Sequence, residues 1–180
     1  LQWTEILSAI LVNFCGDEKK QGRVVILATE RKLKNVHLYV LRHSAVRSSI
    51  EGQLERTVDS LVTQEDVKCF YIGNHGAFDR MALAVLKRLK TQYPSIEVYV
   101  VLAYMPGKKE EFLLADEPDT IYPEGLEFVP RRFAITHRNR WTVDQADYVV
   151  AYVDHGYGGA AQTLRYAKSK GTKIILNLAL

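Results

Sequence analysis

The stretch VKCFYIGNHGAFDRMALAVLKRLK, residues 67–90, decides the fold. Its first six residues form a nearly unbroken apolar run, which predicts a buried β-strand. Its last twelve residues carry an apolar stripe through Val85, Leu86 and Leu89, which predicts an amphipathic helix. Between strand and helix stand two glycines, an asparagine, a histidine and an acid, which is more than a plain connection requires. We interpret this turn as the floor of an anion-binding cleft.

The same alternation of strand and helix continues on both sides of this stretch. We predict strands at residues 36–41, 67–72, 96–104, 147–153 and 173–178. We predict helices at residues 48–62, 79–90, 133–146 and 159–170. The strands are nearly continuous apolar runs, which is typical of strands covered on both faces. The sequence therefore predicts an α/β fold, a Rossmann-like three-layer sandwich with a mostly parallel sheet of about five strands, and a ligand site at the carboxyl ends of the strands.

The chain is long enough for one compact domain but short for two. We assign residues 36–180 to this domain and residues 1–35 to an amino-terminal extension. The extension contains a helix-like pattern at residues 3–14 and a strand-like run at residues 23–28, which we do not place in the fold. Residues 107–130 carry three prolines and many charges, and they are either a lid over the strand ends or a solvated connection.

Composition and charge narrow the function classes. The formal net charge is +3, from 24 basic and 21 acidic residues, so bulk charge gives no case for nucleic acid, and we do not expect it as a partner. The two cysteines, Cys15 and Cys69, form no C-x-x-C pair, which argues against a disulfide framework or a structural zinc site. Cys69 falls inside a predicted strand, where we expect a small core residue. The apolar runs are too short to span a bilayer, so we expect a cytoplasmic protein that does not act in the membrane.

Glycines and polar residues follow three of the predicted strands, at the edge where a ligand would bind. The ligand-binding candidates are Arg42, His43 and Ser44 after the first strand, Gly73, Asn74, His75, Gly76 and Asp79 after the second, and His155, Gly158, Gly159 and Ala160 after the fourth. Glycine lets the backbone approach a ligand, and the N–H groups that open the next helix favour an anion such as phosphate. Tight turns with helix caps are the alternative interpretation. The histidines lack metal-ligand spacing, so we expect no metal and no cofactor.

An arginine cluster lies between these turns in the sequence. The segment PRRFAITHRNR, residues 130–140, has four arginines and a histidine but no acid. We predict that Arg138 projects toward the cleft and binds a phosphate with its planar fork, with Arg140 nearby. A solvated basic face is the alternative. Asp79 is either an acid favoured by the start of a helix or an acceptor for a ribose hydroxyl.

Five segments of the chain together resemble one protein family. They read FYIGNHGAFDRMALAVLKRLK, VVLAYMPGKK, DTIYPEGLE, VPRRFAITHRNRW and DQADYVVAYVDHGYGGAAQTLRYAKSKG, and the similarity covers about residues 36–178. They resemble the YpsA-like branch of the SLOG superfamily, which joins the Lonely guy phosphoribohydrolases with domains like DNA processing protein A. The resemblance implies a Rossmann-like fold and a site for a nucleotide or a nucleotide-derived ligand such as ADP-ribose, and many members look like sensors.

The segments HRNRWTVDQAD and GYGGAAQT look like the Lonely guy pattern of an arginine, an alanine–aspartate pair and a glycine-rich turn. Arg138 matches the arginine by its distance to Asp147, and Gly158 and Gly159 match the double glycine. The catalytic glutamate of that pattern would fall at residues 164–166, which here are leucine, arginine and tyrosine. The resemblance therefore leaves catalysis open. The first strand also ends in LRHS, where YpsA-like chains usually have Gly-His-Arg.

Three functions follow from these residues and from the resemblance. The leading one is a regulatory protein that binds and senses a nucleotide-like ligand. The second is an N-glycosidase that acts on a nucleoside monophosphate, with Asp79 and Asp154 as weak catalytic candidates. The third, suggested by the resemblance alone, is a bacterial cell-division regulator that acts through a protein partner. An oligomer is compatible with all three.

Overall fold

The computed structural model describes residues 35–40, 48–105 and 118–179. The predicted amino-terminal extension lies outside the described residues except for its last residue, which begins the first strand. The site candidates Arg42, His43 and Ser44 also lie outside them, as does most of the first half of the predicted lid. The division of the chain into an extension and a domain therefore stays a prediction.

Six strands and four α-helices alternate along the described residues. The strands are β1 Asn35–Val40, β2 Cys69–Ile72, β3 Glu97–Val101, β4 Thr120–Ile121, β5 Tyr148–Tyr152 and β6 Ile174–Asn177. The helices are α1 Ser48–Glu65, α2 Ala77–Gln92, α3 Arg131–Gln145 and α4 Gly158–Ser169, with one 3-10 turn at Leu126–Phe128. The five strands and four helices predicted between residues 36 and 178 are all present, and their ends differ from the predicted ones by a few residues.

The strands form one sheet in the order β4-β3-β2-β1-β5-β6, and each neighbouring pair is parallel. The predicted α/β class and parallel sheet are confirmed. The predicted number of strands was one short, because β4 is only two residues long and gives almost no periodic signal. β4 lies in the segment that we expected to be a lid or a solvated connection, but Thr120 and Ile121 are buried and extend the edge of the sheet beside β3.

Helices cover the sheet from both sides. Phe70 and Ile72 of β2 belong to the largest hydrophobic cluster, which α1 and α2 share. Cys69 and Tyr71, whose side chains point the opposite way, pack in a second cluster that Trp141 of α3 joins. This alternation explains why the strand had to be apolar throughout. Cys69 is buried with 4 % of its surface exposed, so its predicted place in the core is confirmed.

The strand order reverses direction at β1. From β1 the chain passes to β2 and β3 on one side, whereas β5 and β6 lie on the other side. In open parallel sheets such a switch point opens a crevice at the carboxyl ends of the strands, where ligands bind. The turns after β2 and β5 flank this crevice. No helix in the described part of the chain is long and apolar enough to cross a membrane.

Candidate functional site

The turn after β2 joins the strand to α2 through Gly73, Asn74, His75 and Gly76. Asn74 and His75 are exposed, and Gly76 precedes the helix with a φ of 139°, a conformation that glycine adopts far more readily than other residues. The backbone N–H of His75 donates a hydrogen bond of 2.8 Å to Oδ2 of Asp79, in the first turn of α2. Asp79 therefore fixes the turn from the start of α2.

Gly73 lies directly on a guanidinium and a carboxylate. A Cβ atom built on Gly73 would collide with Nη1 of Arg138 and would lie 2.7 Å from Oδ2 of Asp79. Contacts this short are not tolerated, so only glycine fits here without displacing both groups. The sequence pointed to glycine for approach to a ligand, whereas at this position the close approach is to the protein's own charged side chains.

Arg138 lies beneath this turn rather than on the open rim. Only 4 % of its surface is exposed, and its Nη1 donates a hydrogen bond of 3.2 Å to the carbonyl oxygen of Val101 at the end of β3. This position differs from the predicted projection toward the cleft, because the side chain fills the space that Gly73 leaves below the turn. Arg140 is exposed on the same helix, and its guanidinium carbon lies 5.3 Å from the centre of the Tyr166 ring.

Burial dominates the electrostatics of Asp79. Only 8 % of the residue is exposed, and loss of water raises the pKa of its carboxyl group from 3.8 to about 6. The positive charge of Arg138 and the N–H of His75 both lower the pKa of Asp79, but they offset only part of the desolvation. Perturbed carboxyl groups occur both at functional sites and in structural charge networks. Here the group is engaged with the turn itself.

The turn after β5 has space beside its glycines, although the guanidinium of Arg165 donates a hydrogen bond of 2.7 Å to the carbonyl oxygen of Gly156. Gly158 begins α4 with a φ of 85°, and Tyr157 before it makes no side-chain cap to the helix. A Cβ atom at Gly156, Gly158 or Gly159 would have no heavy atom of residues 35–40, 48–105 or 118–179 within 4 Å. Ala160, in contrast, is buried in the core. The first N–H groups of α4 thus open onto accessible space, which is the arrangement that accommodates an anion.

Aromatic rings stand beside both turns, and the sequence analysis did not single them out. The ring of Tyr157 stacks on His155, with ring centres 4.1 Å apart and planes 12° apart, while 71 % of Tyr157 stays exposed. Across the rim, His75 contacts the ring of Tyr104 edge-on at 5.7 Å, and the guanidinium carbon of Arg131 lies 4.8 Å from the centre of that ring. Their position directly after a strand or within a glycine turn was the signal that could have found these tyrosines.

The candidate residues therefore fall into two groups. Gly73, Asp79 and Arg138 form one buried cluster below the first turn, and His155, Gly158 and Gly159 belong to the second turn. β1 separates the two turns, so they lie about 10 Å apart across two strand spacings. Asp154 is partly exposed, with its Oδ1 atom 3.7 Å from Nε2 of His155. Within the described residues, no three His, Cys, Asp or Glu side chains are placed to hold a metal ion.

The molecule is thus a Rossmann-like α/β domain with two glycine turns at its switch point. Neither a protein-family model nor a curated protein matches the chain. Among solved structures it is similar to DNA processing protein A from Streptococcus pneumoniae, with a TM-score of 0.54 and 16 % identity over 80 % of this chain and 50 % of that chain. It is also similar to DNA processing protein A from Helicobacter pylori, which was solved to describe a unique single-stranded DNA binding mode, with a TM-score of 0.53 and 12 % identity over 79 % of this chain and 64 % of that chain.

The chain spans between half and two-thirds of the length of these two structures. Likeness at this level of identity shows the fold alone. The chain shares the fold of the part of DNA processing protein A that it matches. The likeness does not reach the YpsA-like branch in particular.

Proposed function

We propose that this protein binds a nucleotide-like anion, a nucleotide or an ADP-ribose-type ligand, as a sensor of the YpsA-like branch. The observation that carries the proposal is the space at Gly156, Gly158 and Gly159, where an added Cβ atom would meet no heavy atom of the described residues within 4 Å. The phosphate would lie against the first N–H groups of α4, which have no side-chain cap. The base or ribose would extend across β1 toward the first turn.

The charge distribution at this edge supports an anionic ligand. Both α2 and α4 begin here, neither has a side-chain cap at the residue before its first turn, and each helix start carries a partial positive charge. The exposed face of Tyr157 offers a surface on which a base can stack. Arg131 adds a positive charge on the side of the first turn.

In this proposal Arg138 is a positioning residue. Its burial and its bond to the carbonyl of Val101 favour support of the first turn over direct contact with phosphate. Arg138→Lys should therefore weaken a nucleoside monophosphate and its nucleoside by similar factors, because the shape of the turn serves both. A loss confined to the nucleotide would instead place the guanidinium on the phosphate, as the sequence analysis predicted.

The proposal is tested by calorimetric titration with AMP, ADP-ribose and adenosine. Gly158→Ala should weaken AMP binding by at least about tenfold, which corresponds to about 1.4 kcal/mol. Gly171→Ala is the matched control, since Gly171 also has a positive φ and open space but lies beyond the far end of α4. Both substitutions strain the backbone by about 1 kcal/mol, so the free energy of unfolding should fall by a similar amount in the two variants. The affinity for AMP should fall in Gly158→Ala alone. Absence of saturable binding to any of the three compounds would overturn the proposal.

Binding of single-stranded DNA is the second candidate, and the surface at the start of α3 favours it. Arg131 and Arg132 are exposed there with no acidic residue in the first turn, and Phe128 and Phe133 expose 86 % and 46 % of their surfaces beside them. Positive charge together with exposed aromatic rings is how proteins hold single strands. The similar structure from Helicobacter pylori concerns binding of this kind. This surface argues against our expectation that nucleic acid is not a partner.

Titration of a fluorescent oligothymidylate at several salt concentrations tests this candidate. Each phosphate contact contributes about −0.7 to the slope of log K against log salt for a single strand. Arg132→Ala should therefore reduce both the affinity and the slope, whereas Lys168→Ala, at the far end of α4, should change neither. Equal slopes for the two variants would remove this surface from consideration.

A further inference from the structure

Arg165 reaches back along α4 to the turn after β5. It lies on the exposed face of the helix, on one stripe with Gly158 and Gln162 at the i, i+4, i+7 spacing. Helical side chains lean toward the amino terminus, and Gly158 adds no side chain in the path of the arginine. The guanidinium therefore arrives at the turn itself, where its Nη1 donates a hydrogen bond of 2.7 Å to the carbonyl oxygen of Gly156.

The positive charge of Arg165 has no acidic partner among the residues that the structure describes. No carboxylate of residues 35–40, 48–105 or 118–179 forms an ion pair with it, and α4 contains no acidic residue. Asp154, the acid nearest to it in sequence, places its Oδ1 3.7 Å from Nε2 of His155. A guanidinium has five N–H donors, and the bond to Gly156 uses one of them. The others are available to water or to a ligand.

The residue also occupies a telling position in the sequence. The Lonely guy pattern would place a glutamate at residues 164–166. Leu164 is buried among apolar residues, and Tyr166 donates a hydrogen bond of 2.9 Å to Asp144 of α3, whereas Arg165 contacts the glycine turn. A guanidinium stays charged at every physiological pH. The side chain beside the glycines is therefore suited to holding an anion and unsuited to general acid catalysis.

We propose that Arg165 contacts the phosphate of the ligand and makes the site specific for phosphorylated compounds. This inference rests on the proposed function, because it assigns a further residue to the same site. One donor of the guanidinium stays on the carbonyl of Gly156 and fixes the side chain, and the remaining donors bind phosphate oxygens beside the first N–H groups of α4. Arg138 supports the first turn from below, and Arg165 reads the charge of the ligand.

Calorimetric titration with AMP, ADP-ribose and adenosine tests this role. Arg165→Gln should weaken both phosphorylated compounds by at least about tenfold, or about 1.4 kcal/mol, and should change adenosine binding by less than about twofold. Lys168→Gln is the matched control, since it removes the same charge from an exposed position three residues further along α4, and it should change none of the three affinities. Arg165→Lys should recover part of the loss, because an ammonium keeps the charge without the planar fork.

The dependence on salt gives a second readout. Rising ionic strength should weaken AMP binding to the unaltered chain more than to Arg165→Gln, because salt screens the contact between exposed charges. Equal losses for AMP and adenosine would make Arg165 a brace of the turn and overturn the inference, as would an unchanged affinity for AMP or an equal salt dependence. In these outcomes the unaltered chain still binds the nucleotide, so the proposed function stands. Absence of binding by the unaltered chain would remove both.

Discussion

Replacing Arg138 with methionine should destabilise the protein much more at pH 8 than at pH 5. The guanidinium is buried below the first turn, and its positive charge holds down the pKa of Asp79, which burial raises to about 6. Methionine keeps the length and apolar body of the side chain but removes the charge. At pH 8 the carboxylate is then left buried beside an uncharged neighbour, so it must take up a proton for the fold to persist.

The magnitude follows from the pKa of Asp79. Protonating a group with a pKa of about 6 at pH 8 costs about 3 kcal/mol, from two pH units at 1.36 kcal/mol each. At pH 5 the carboxyl is already mostly protonated, and this cost vanishes. The lost hydrogen bond to the carbonyl of Val101 adds a pH-independent cost of about 1–3 kcal/mol. The free energy of unfolding of the variant should therefore fall by up to about 3 kcal/mol more at pH 8 than at pH 5.

Urea unfolding of four proteins at both pH values measures this difference. They are the unaltered chain, Arg138→Met, Asp79→Asn and the double variant, which together isolate the coupling energy of the pair. Arg140→Met serves as the control, because Arg140 lies two residues along the same helix with its side chain exposed. It should change stability little, and equally at both pH values. A coupling energy that is the same at pH 5 and pH 8 would refute the electrostatic explanation.

Three further predictions follow from the same residues. The unaltered chain should gain stability relative to Asp79→Asn as the pH falls, because the raised pKa of Asp79 means that the folded state binds more protons than the unfolded state. This gain is complete below pH 3.8 and is lost as the pH rises through about 6. Urea unfolding at successive pH values measures it. Gly73→Ala should cost about 1–3 kcal/mol in thermal or urea unfolding because its Cβ collides with Arg138 and approaches Asp79, whereas Gly159→Ala, with open space around it, should leave stability unchanged or slightly raised. Tyr157→Ala should weaken a nucleotide by about 1–3 kcal/mol in calorimetry, and Tyr157→Phe should retain the affinity, since stacking depends on the ring rather than on the hydroxyl.

The sequence predicted the elements whose signal is local and periodic. The strand β2 and the helix after it could be recognised because a continuous apolar run is followed, after a glycine turn, by an apolar stripe with a period of 3.6 residues. β4 could not, because two residues carry no period and its pairing with β3 is decided by a distant part of the chain. Gly158, which the sequence analysis picked out by its place in a strand-to-helix turn, has a positive φ of 85°.

The buried position of Arg138 could not be predicted from the local sequence. The sequence analysis predicted that Arg138 projects toward the cleft, with a solvated basic face as the alternative; α3 presents Arg131, Arg132 and Arg140 to solvent and buries Arg138 below the first turn. The acid that accompanies Arg138 is Asp79, which stands 59 positions earlier in the chain. No pattern within a helix can reveal a partner at that distance. The glycine that makes room for the pair, Gly73, belongs to the turn before Asp79, so the role of each of the three residues depends on the other two.

This arrangement gives the two turns different physical characters. The turn after β2 is fixed from below by a buried charge pair and from the side by the bond between His75 and Asp79, so its shape is costly to change. The turn after β5 has open space around its glycines and an exposed tyrosine beside them. A ligand that contacts both turns, as we propose, would meet a buried charge pair behind the first turn and an exposed ring beside the second.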